Sequence, residues 1–168
     1  IQKSGARFVD LAEIGSYEDG FFNLEVFGKA DRVVYLAAYL YHYRRDGSSS
    51  VTSGYNPRLY DQWQTLYDRM EAIIRSNQLG GEYEAALNNR IALGILGLGL
   101  NITVSTQSMG KKVKDIRRII RQERYRKAYK NLPLHYFPIH WKLFYGCARH
   151  GFAFGVYVPV SYTHLRAH

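Results

Sequence analysis

The sequence is poor in cysteine and has no long uninterrupted hydrophobic run, and both absences exclude classes of protein. A lone cysteine, Cys147, forms no internal disulfide, which excludes a disulfide-stapled secreted domain and favours a reducing compartment. The longest apolar run, Ile91 to Val104, contains Asn101 and three glycines. It is shorter than the roughly 18 residues of a membrane-spanning helix, so we predict a buried segment. The N-terminal residues lack the apolar core of a signal peptide. From the reducing compartment that the lone cysteine favours, we predict a cytoplasmic location, either free or at the inner face of the cell membrane.

The size and composition are those of an ordinary folded domain. The chain has 168 residues, of which 46% are hydrophobic and 22% are charged. Both fractions are close to the average for soluble globular proteins, so disorder and fibrous repeats are not indicated. Because the first residue is not Met, we expect the true start to be missing.

The net charge of +9 is concentrated in one segment. Residues 1–55 hold six Lys or Arg and seven Asp or Glu, so that part of the chain is nearly neutral. Residues 111–149 hold twelve basic residues against Asp115 and Glu123. The positive charge therefore indicates the kind of partner that this segment binds, and it does not indicate the partner of the whole protein.

Hydrophobic spacing predicts mainly helices, with two short strands near the N-terminus. A helix over 20–29 is followed by β-branched and aromatic segments at 32–36 and 39–44, which favour strands, and then by a Gly/Ser-rich loop. Asn56-Pro57 predicts a helix start, and Gly80-Gly81 predicts its end. Further helices are predicted over about 82–99, 111–130 and 140–150. The last nine residues, VSYTHLRAH, look like one reading frame of a sequencing adapter, so 160–168 are expected to be an artefact.

Glu18-Asp19 is the candidate for chemistry. Two adjacent carboxylates at a predicted loop-to-helix junction, just before the apolar Phe21-Phe22, suit a general base: one is held rigidly while the other turns into a cleft. An Asp at a helix start is more commonly only a cap, with its oxygens suited to the first free N–H groups.

The surroundings of this pair carry a family resemblance. The order is YEDGFFNL at 17–24, ADRVVYL at 30–36, YHYR at 41–44 and SSSV at 48–51. It resembles family 2 glycosyltransferases that build bacterial surface polysaccharides, in which an "ED" pair opens a helix, a short strand follows, and a YxYR element leads into a serine-containing loop. The likeness covers about 8–158 and is most specific over 8–52.

The resemblance implies a fold and residue roles. The implied fold class is α/β: 1–55 would be the C-terminal, acceptor-side remnant of a GT-A (Rossmann-like) catalytic domain, and 56–159 a mainly α-helical extension. Asp19 would be the catalytic base of an inverting transfer, and Glu18 would orient it or contact the acceptor. Arg44 or Arg45 would neutralise part of the charge on the donor diphosphate, and His42 would contact the diphosphate or its metal. The arginine pair also suits a solvated surface, and His42 between two tyrosines also suits packing in a strand. The implied partners are a nucleotide-sugar donor and a glycan or lipid-linked acceptor.

One part of the family pattern is missing. Family members hold a divalent cation, Mg²⁺ or Mn²⁺, on the diphosphate through an Asp-x-Asp element, and the sequence has none. The metal is therefore expected only in the full-length enzyme, and this chain alone is expected neither to bind nucleotide-sugar nor to turn over.

The basic segment leaves alternatives open. A basic amphipathic helix over 111–130 followed by aromatic residues suits an anionic membrane surface, and it also suits a solvated face packed on the domain. The aromatic residues are Trp141, Phe144, Tyr145, Phe152 and Phe154. A nucleic-acid partner is not predicted, because no binding motif accompanies the charge. The alternative to an enzyme is a non-catalytic basic helical module that binds an anionic membrane or partner.

Overall fold

The computed structural model describes residues 5–39 and 54–166. Every regular element among these residues is a helix or a helical turn. The helices are α1 (Leu11–Ile14), α2 (Glu18–Phe27), α3 (Leu59–Ser76), α4 (Gly81–Val104), α5 (Met109–Ile120), α6 (Glu123–Asn131), α7 (Ile139–Arg149) and α8 (Ala153–Arg166), with a 3₁₀ turn at Leu134–Tyr136. α4 is central, with α3, α5, α6 and α8 packed around it, and α1 and α2 lie on α3.

The predicted α/β class is wrong for the described residues, because no strand occurs among them. The segment predicted as the first strand forms no regular element, and its apolar side chains lie in solvent: Val34 is 85% exposed and Tyr35 is 88% exposed. β-branched and aromatic residues favour a strand only when a neighbouring strand and a packing surface are present. The second predicted strand lies almost wholly outside the described residues.

α3 is amphipathic as predicted, and its core residues recur at helical spacing. They are Trp63, Leu66, Tyr67, Met70 and Ile74. Its ends differ from the prediction. Asn56 Oδ1 accepts a hydrogen bond from Arg58 N at 3.0 Å in a turn that precedes the helix. The helix stops before Gly80, because Gln78 takes a left-handed conformation with φ 52°.

α4 is long and apolar enough to cross a membrane by length and composition. In the structure its apolar side faces other helices: Ile91, Ile95 and Leu98 are at most 5% exposed. The prediction of a buried segment is confirmed here. Its glycines permit close approach, since a Cβ atom added at Gly97 would lie 2.6 Å from Cη2 of Trp63.

The basic segment forms two helices rather than the single predicted one. α5 ends at Ile120, and Gln122 is extended with ψ 143° before α6 begins. The buried Tyr125 lies five positions after the buried Ile120 in the chain. On a continuous helix these side chains would point about 140° apart, so the chain breaks to bury both against the core.

α8 includes residues that were expected to be an adapter artefact. Val160 is fully buried, and a Cβ atom added at Gly99 of α4 would meet its side chain at 3.3 Å. Ala153 and Val156 lie on the same buried face. The first residue of the presumed artefact thus belongs to the core, while its origin stays a prediction.

Candidate functional site

Glu18 and Asp19 occupy the first turn of α2. The Asp19 side chain is exposed and Glu18 is half-buried. The cap interpretation predicts Asp19 as the N-cap of this helix, and this prediction is wrong. Tyr17 holds the cap position without a side-chain hydrogen bond, and Asp19 Oδ1 accepts from the backbone N–H of Gly20 at 2.6 Å. The free N–H groups of a helix start favour carboxylates at this place.

Tyr17 has an unusual backbone that its side-chain contacts account for. Its φ of 73° lies in the left-handed region, which costs a tyrosine on the order of 1–2 kcal/mol. The ring folds back over Gly20, where an added Cβ would clash with the ring atoms. On α4, the guanidinium carbon of Arg90 lies 3.9 Å from the ring centroid. The YEDG sequence is therefore a compact unit: the position of the Tyr17 ring requires a residue without a Cβ atom at position 20.

Helices α3 and α4 hold this unit in place. Arg90 also lies 5.5 Å from the Trp63 ring, and the Trp63 indole Nε1 donates to Ser16 Oγ at 3.1 Å. Gln62 Nε2 donates to the carbonyl oxygen of Ala12 at 2.9 Å. Residues 12–17, which lead into the acidic pair, are thus attached to the helical bundle at several points.

A cavity of about 260 Å³ lies at Gly15 and Ser16, which precede the acidic pair in the chain. Its wall includes Ser16, Trp63 and Gly97, together with Asn56 and Asn101. The two asparagines bind each other's chain reciprocally: Asn56 N donates to Asn101 Oδ1, and Asn101 Nδ2 donates to Asn56 O, both at 2.8 Å. The cavity wall is therefore framed by polar side chains that already bond to one another or to the backbone: Asn56 Nδ2 donates to Gln62 Oε1, and Ser16 Oγ accepts from the Trp63 indole.

Gly54 also lines this cavity. It is the first described residue after the predicted YxYR and serine elements, so the structure brings the exit of that segment to Ser16, two residues before Glu18. The predicted donor contacts His42, Arg44 and Arg45 lie outside the described residues, and their roles stay predictions.

The described residues do not supply ligands for the divalent cation that the family resemblance implies. Within 5–39 and 54–166, no group of three or more His, Cys, Asp or Glu side chains could hold a metal ion.

The aromatic residues that follow the basic segment have different environments. Phe144 and Tyr145 are each 3% exposed and belong to the core, so the interpretation of these two as membrane contacts is wrong. Burial raises the pKa of Tyr145 to about 12. Phe152 and Phe154 are exposed by 56% and 46% and stay available to a partner.

Sequence reasoning missed Arg90 and Trp63 as supports of the acidic pair. A signal was present for Arg90, because no other charged residue occurs between Glu84 and Lys111. Trp63 gave no signal beyond its place on the apolar side of α3. The sequence does not distinguish a tryptophan whose indole N–H binds Ser16 from any other core tryptophan.

Comparison with known proteins gives one informative similarity. The chain is 32% identical over 117 residues to "Uncharacterized glycosyltransferase EpsJ" of Bacillus subtilis (strain 168). The match covers 69% of this chain and 34% of the relative, so the chain spans about a third of the relative's length. No protein-family model matches the sequence, and no solved structure matches it. The similarity supports a transferase function at the coarse level of glycosyl transfer.

Proposed function

We propose that this chain is the acceptor-side part of a cytoplasmic family 2 glycosyltransferase. The enzyme would transfer a sugar from a nucleotide-sugar to a glycan or lipid-linked acceptor in surface-polysaccharide synthesis. The observation that carries the proposal is the placement of Asp19: an exposed carboxylate on the first turn of α2, behind a tyrosine that Arg90 of another helix holds in a left-handed conformation. The similarity to a glycosyltransferase supports the reaction class.

The proposed chemistry is a direct displacement with inversion. Asp19 accepts the proton of the acceptor hydroxyl as that oxygen forms a bond to the anomeric carbon, while the bond from the anomeric carbon to the diphosphate oxygen breaks. The nucleoside diphosphate leaves with the electron pair. Asp19 rather than Glu18 takes this role because its side chain is the more exposed of the two. Glu18 orients the acceptor or the base.

His42, Arg44 and Arg45 are proposed to stabilise the negative charge that develops on the diphosphate. Positive groups placed where charge develops are among the strongest contributors to such reactions.

The test is an Asp19→Asn substitution in the longer protein that contains this chain. Loss of a general base lowers kcat by roughly 10²- to 10⁴-fold. Asp61→Asn is the matched control, since Asp61 is likewise an exposed aspartate in the first turn of a helix, α3. We expect the control to keep its kcat and both variants to keep their melting temperatures. Normal transfer by the Asp19→Asn enzyme would remove Asp19 from the mechanism.

A further inference from the structure

A strongly basic groove lies where the end of α5, the outer side of α6 and the end of α7 meet. It has a volume of about 700 Å³ and is lined by Arg121, Arg126, Lys127, Lys130, Arg149 and His150, with Glu123. Arg149 donates a hydrogen bond to the carbonyl oxygen of Lys130, which ties the ends of α7 and α6 together. We call this surface the basic groove.

Within the part of the chain that the structure describes, the arginines and lysines of the basic groove form no ion pair, and Glu123 is the carboxylate in its wall. Among the described residues, no carboxylate lies within 4 Å of Arg121, Arg126, Lys127 or Lys130 in an ion pair. Arg124, on the inner side of α6, is different because it pairs with Asp68 of α3. Like charges gathered around one groove repel one another and raise the local concentration of anions. The groove therefore suits an anionic ligand.

A neighbouring cleft has a balanced set of charged side chains, unlike the basic groove. The cleft between α3, α4 and α6 has a volume of about 390 Å³, and its wall holds equal numbers of acidic and basic side chains: Glu71, Glu84, Glu123, Arg75, Arg124 and Lys127. Among the described residues, the wall of the basic groove instead holds five Arg or Lys side chains and His150 against Glu123, which it shares with the cleft together with Lys127.

Exposed apolar side chains begin immediately after the basic groove in the chain. Phe152 lies in the turn between α7 and α8, two residues beyond His150 of the groove, and is 56% exposed. Phe154, Val158 and Tyr162 follow at four-residue steps and are each about half exposed. This spacing places the three on one side of α8, away from the buried Val156 and Val160.

We propose that the basic groove and the exposed apolar residues of the α7–α8 turn form a docking surface for an anionic phospholipid bilayer. Phosphate headgroups bind in the groove, and Phe152 and Phe154 enter the apolar layer beneath them. A bilayer offers negative phosphate and an apolar phase side by side, whereas a soluble phosphate or a nucleic acid offers no apolar phase for α8. The surface does not include Glu18 or Asp19, so its failure would leave the proposed function untouched.

The first experiment measures sedimentation of the 168-residue chain with vesicles. Vesicles of phosphatidylcholine are compared with vesicles that also contain phosphatidylglycerol, at low and high salt. We expect binding to the anionic vesicles only, with a loss at high salt because surface charges are screened. Equal binding to both vesicle types, or no binding to the anionic ones, would overturn the proposal.

Charge variants locate the binding. Arg126→Glu combined with Lys127→Glu is expected to weaken binding to anionic vesicles by on the order of tenfold to a hundredfold. Arg7→Glu combined with Arg58→Glu makes the same change in net charge at exposed positions outside the basic groove and is expected to bind nearly as the parent does. Arg126→Gln with Lys127→Gln gives a milder variant if the reversal fails to fold. Equal losses in the groove and control variants would contradict a specific surface.

An apolar variant tests insertion. Phe152→Ser is expected to lower binding to anionic vesicles severalfold, because an aromatic ring no longer enters the bilayer. Phe27→Ser is the matched control, since Phe27 on α2 is 53% exposed and lies outside this surface. If Phe152→Ser binds as the parent does, the bilayer is the wrong partner. A purely ionic partner, such as nucleic acid, would then be the better explanation of the groove.

Discussion

The guanidinium of Arg90 stacks on the ring of Tyr17, with 3.9 Å between the guanidinium carbon and the ring centroid. The contact joins the middle of α4 to the residue directly before the Glu18-Asp19 pair. Arg90 Nε is buried and makes no hydrogen bond within the described part of the chain, so ring contacts are a main interaction of this side chain. The position of the acidic pair therefore depends on a helix more than sixty residues away in sequence.

Arg90→Met is expected to lower the free energy of unfolding by about 1 kcal/mol, because a cation stacked on aromatic rings contributes roughly that amount. Urea unfolding monitored by tryptophan fluorescence measures the change, and Trp63 reports directly on the site. Arg75→Met is the control, since the Arg75 side chain is 75% exposed and pairs only with Glu71 within the described residues. Equal losses in both variants would show that the stacking has no particular role.

Gly97→Ala is expected to destabilise the protein by about 1–3 kcal/mol, because the new methyl group would lie 2.6 Å from Cη2 of Trp63. Gly146→Ala, inside α7, meets nothing within 4 Å and should stabilise by roughly 0.5–1 kcal/mol through helix propensity alone. Thermal and urea unfolding distinguish the two. The same sign for both substitutions would mean that α3 and α4 do not approach as closely as described.

Asn101→Ala is expected to cost about 1–3 kcal/mol, since it leaves the partly buried backbone N–H of Asn56 without its partner and removes one of the two hydrogen bonds that the Asn56 carbonyl oxygen accepts. Asn88→Ala is the control: its side chain donates only to the Glu84 carbonyl oxygen at an exposed position, and we expect less than about 0.5 kcal/mol. Hydrogen exchange of the Asn56 amide gives a local measurement. Unchanged protection of that amide in Asn101→Ala would contradict the pairing.

Four buried tyrosines predict a loss of stability at alkaline pH. Burial raises the pKa of Tyr67 and of Tyr145 to about 12, and it raises the pKa of Tyr125 and Tyr129 further. Because the unfolded chain loses these protons near pH 10, stability is fully present below that pH. It falls as pH rises from about 10 to about 12. Urea unfolding at a series of pH values measures this fall.

Tyr129→Phe tests the origin of the alkaline loss. The Tyr129 hydroxyl is buried without a hydrogen-bond partner among the described residues, so its removal is expected to cost little at pH 7 and to make the alkaline loss smaller. Tyr136→Phe changes a ring that is 80% exposed and should leave the alkaline loss as it was. An alkaline loss that is the same in both variants would argue against Tyr129 as a contributor.

The sequence predicted the helices of the bundle well and the region around the acidic pair less well. α3, α4 and α7 appear where the apolar spacing places them, because side chains three and four residues apart share a helix face whatever the partner is. The break between α5 and α6 was readable from the five-residue step between Ile120 and Tyr125 but was missed. The first predicted strand does not form, because Val33 and Val34 have strand-forming side chains without a neighbouring strand in the described residues.

By itself, the sequence determined the amphipathic helices, the concentration of positive charge over residues 111–149 and the presence of an acidic pair before an apolar helix. These depend only on local spacing and composition. Only the tertiary structure decided that Arg90 and Trp63 support the acidic pair, that Phe144 and Tyr145 are core residues, and that the basic side chains of α6 divide between Asp68 and an open groove. Which residues meet across helices depends on crossing and packing, and spacing along one chain segment carries no information about either.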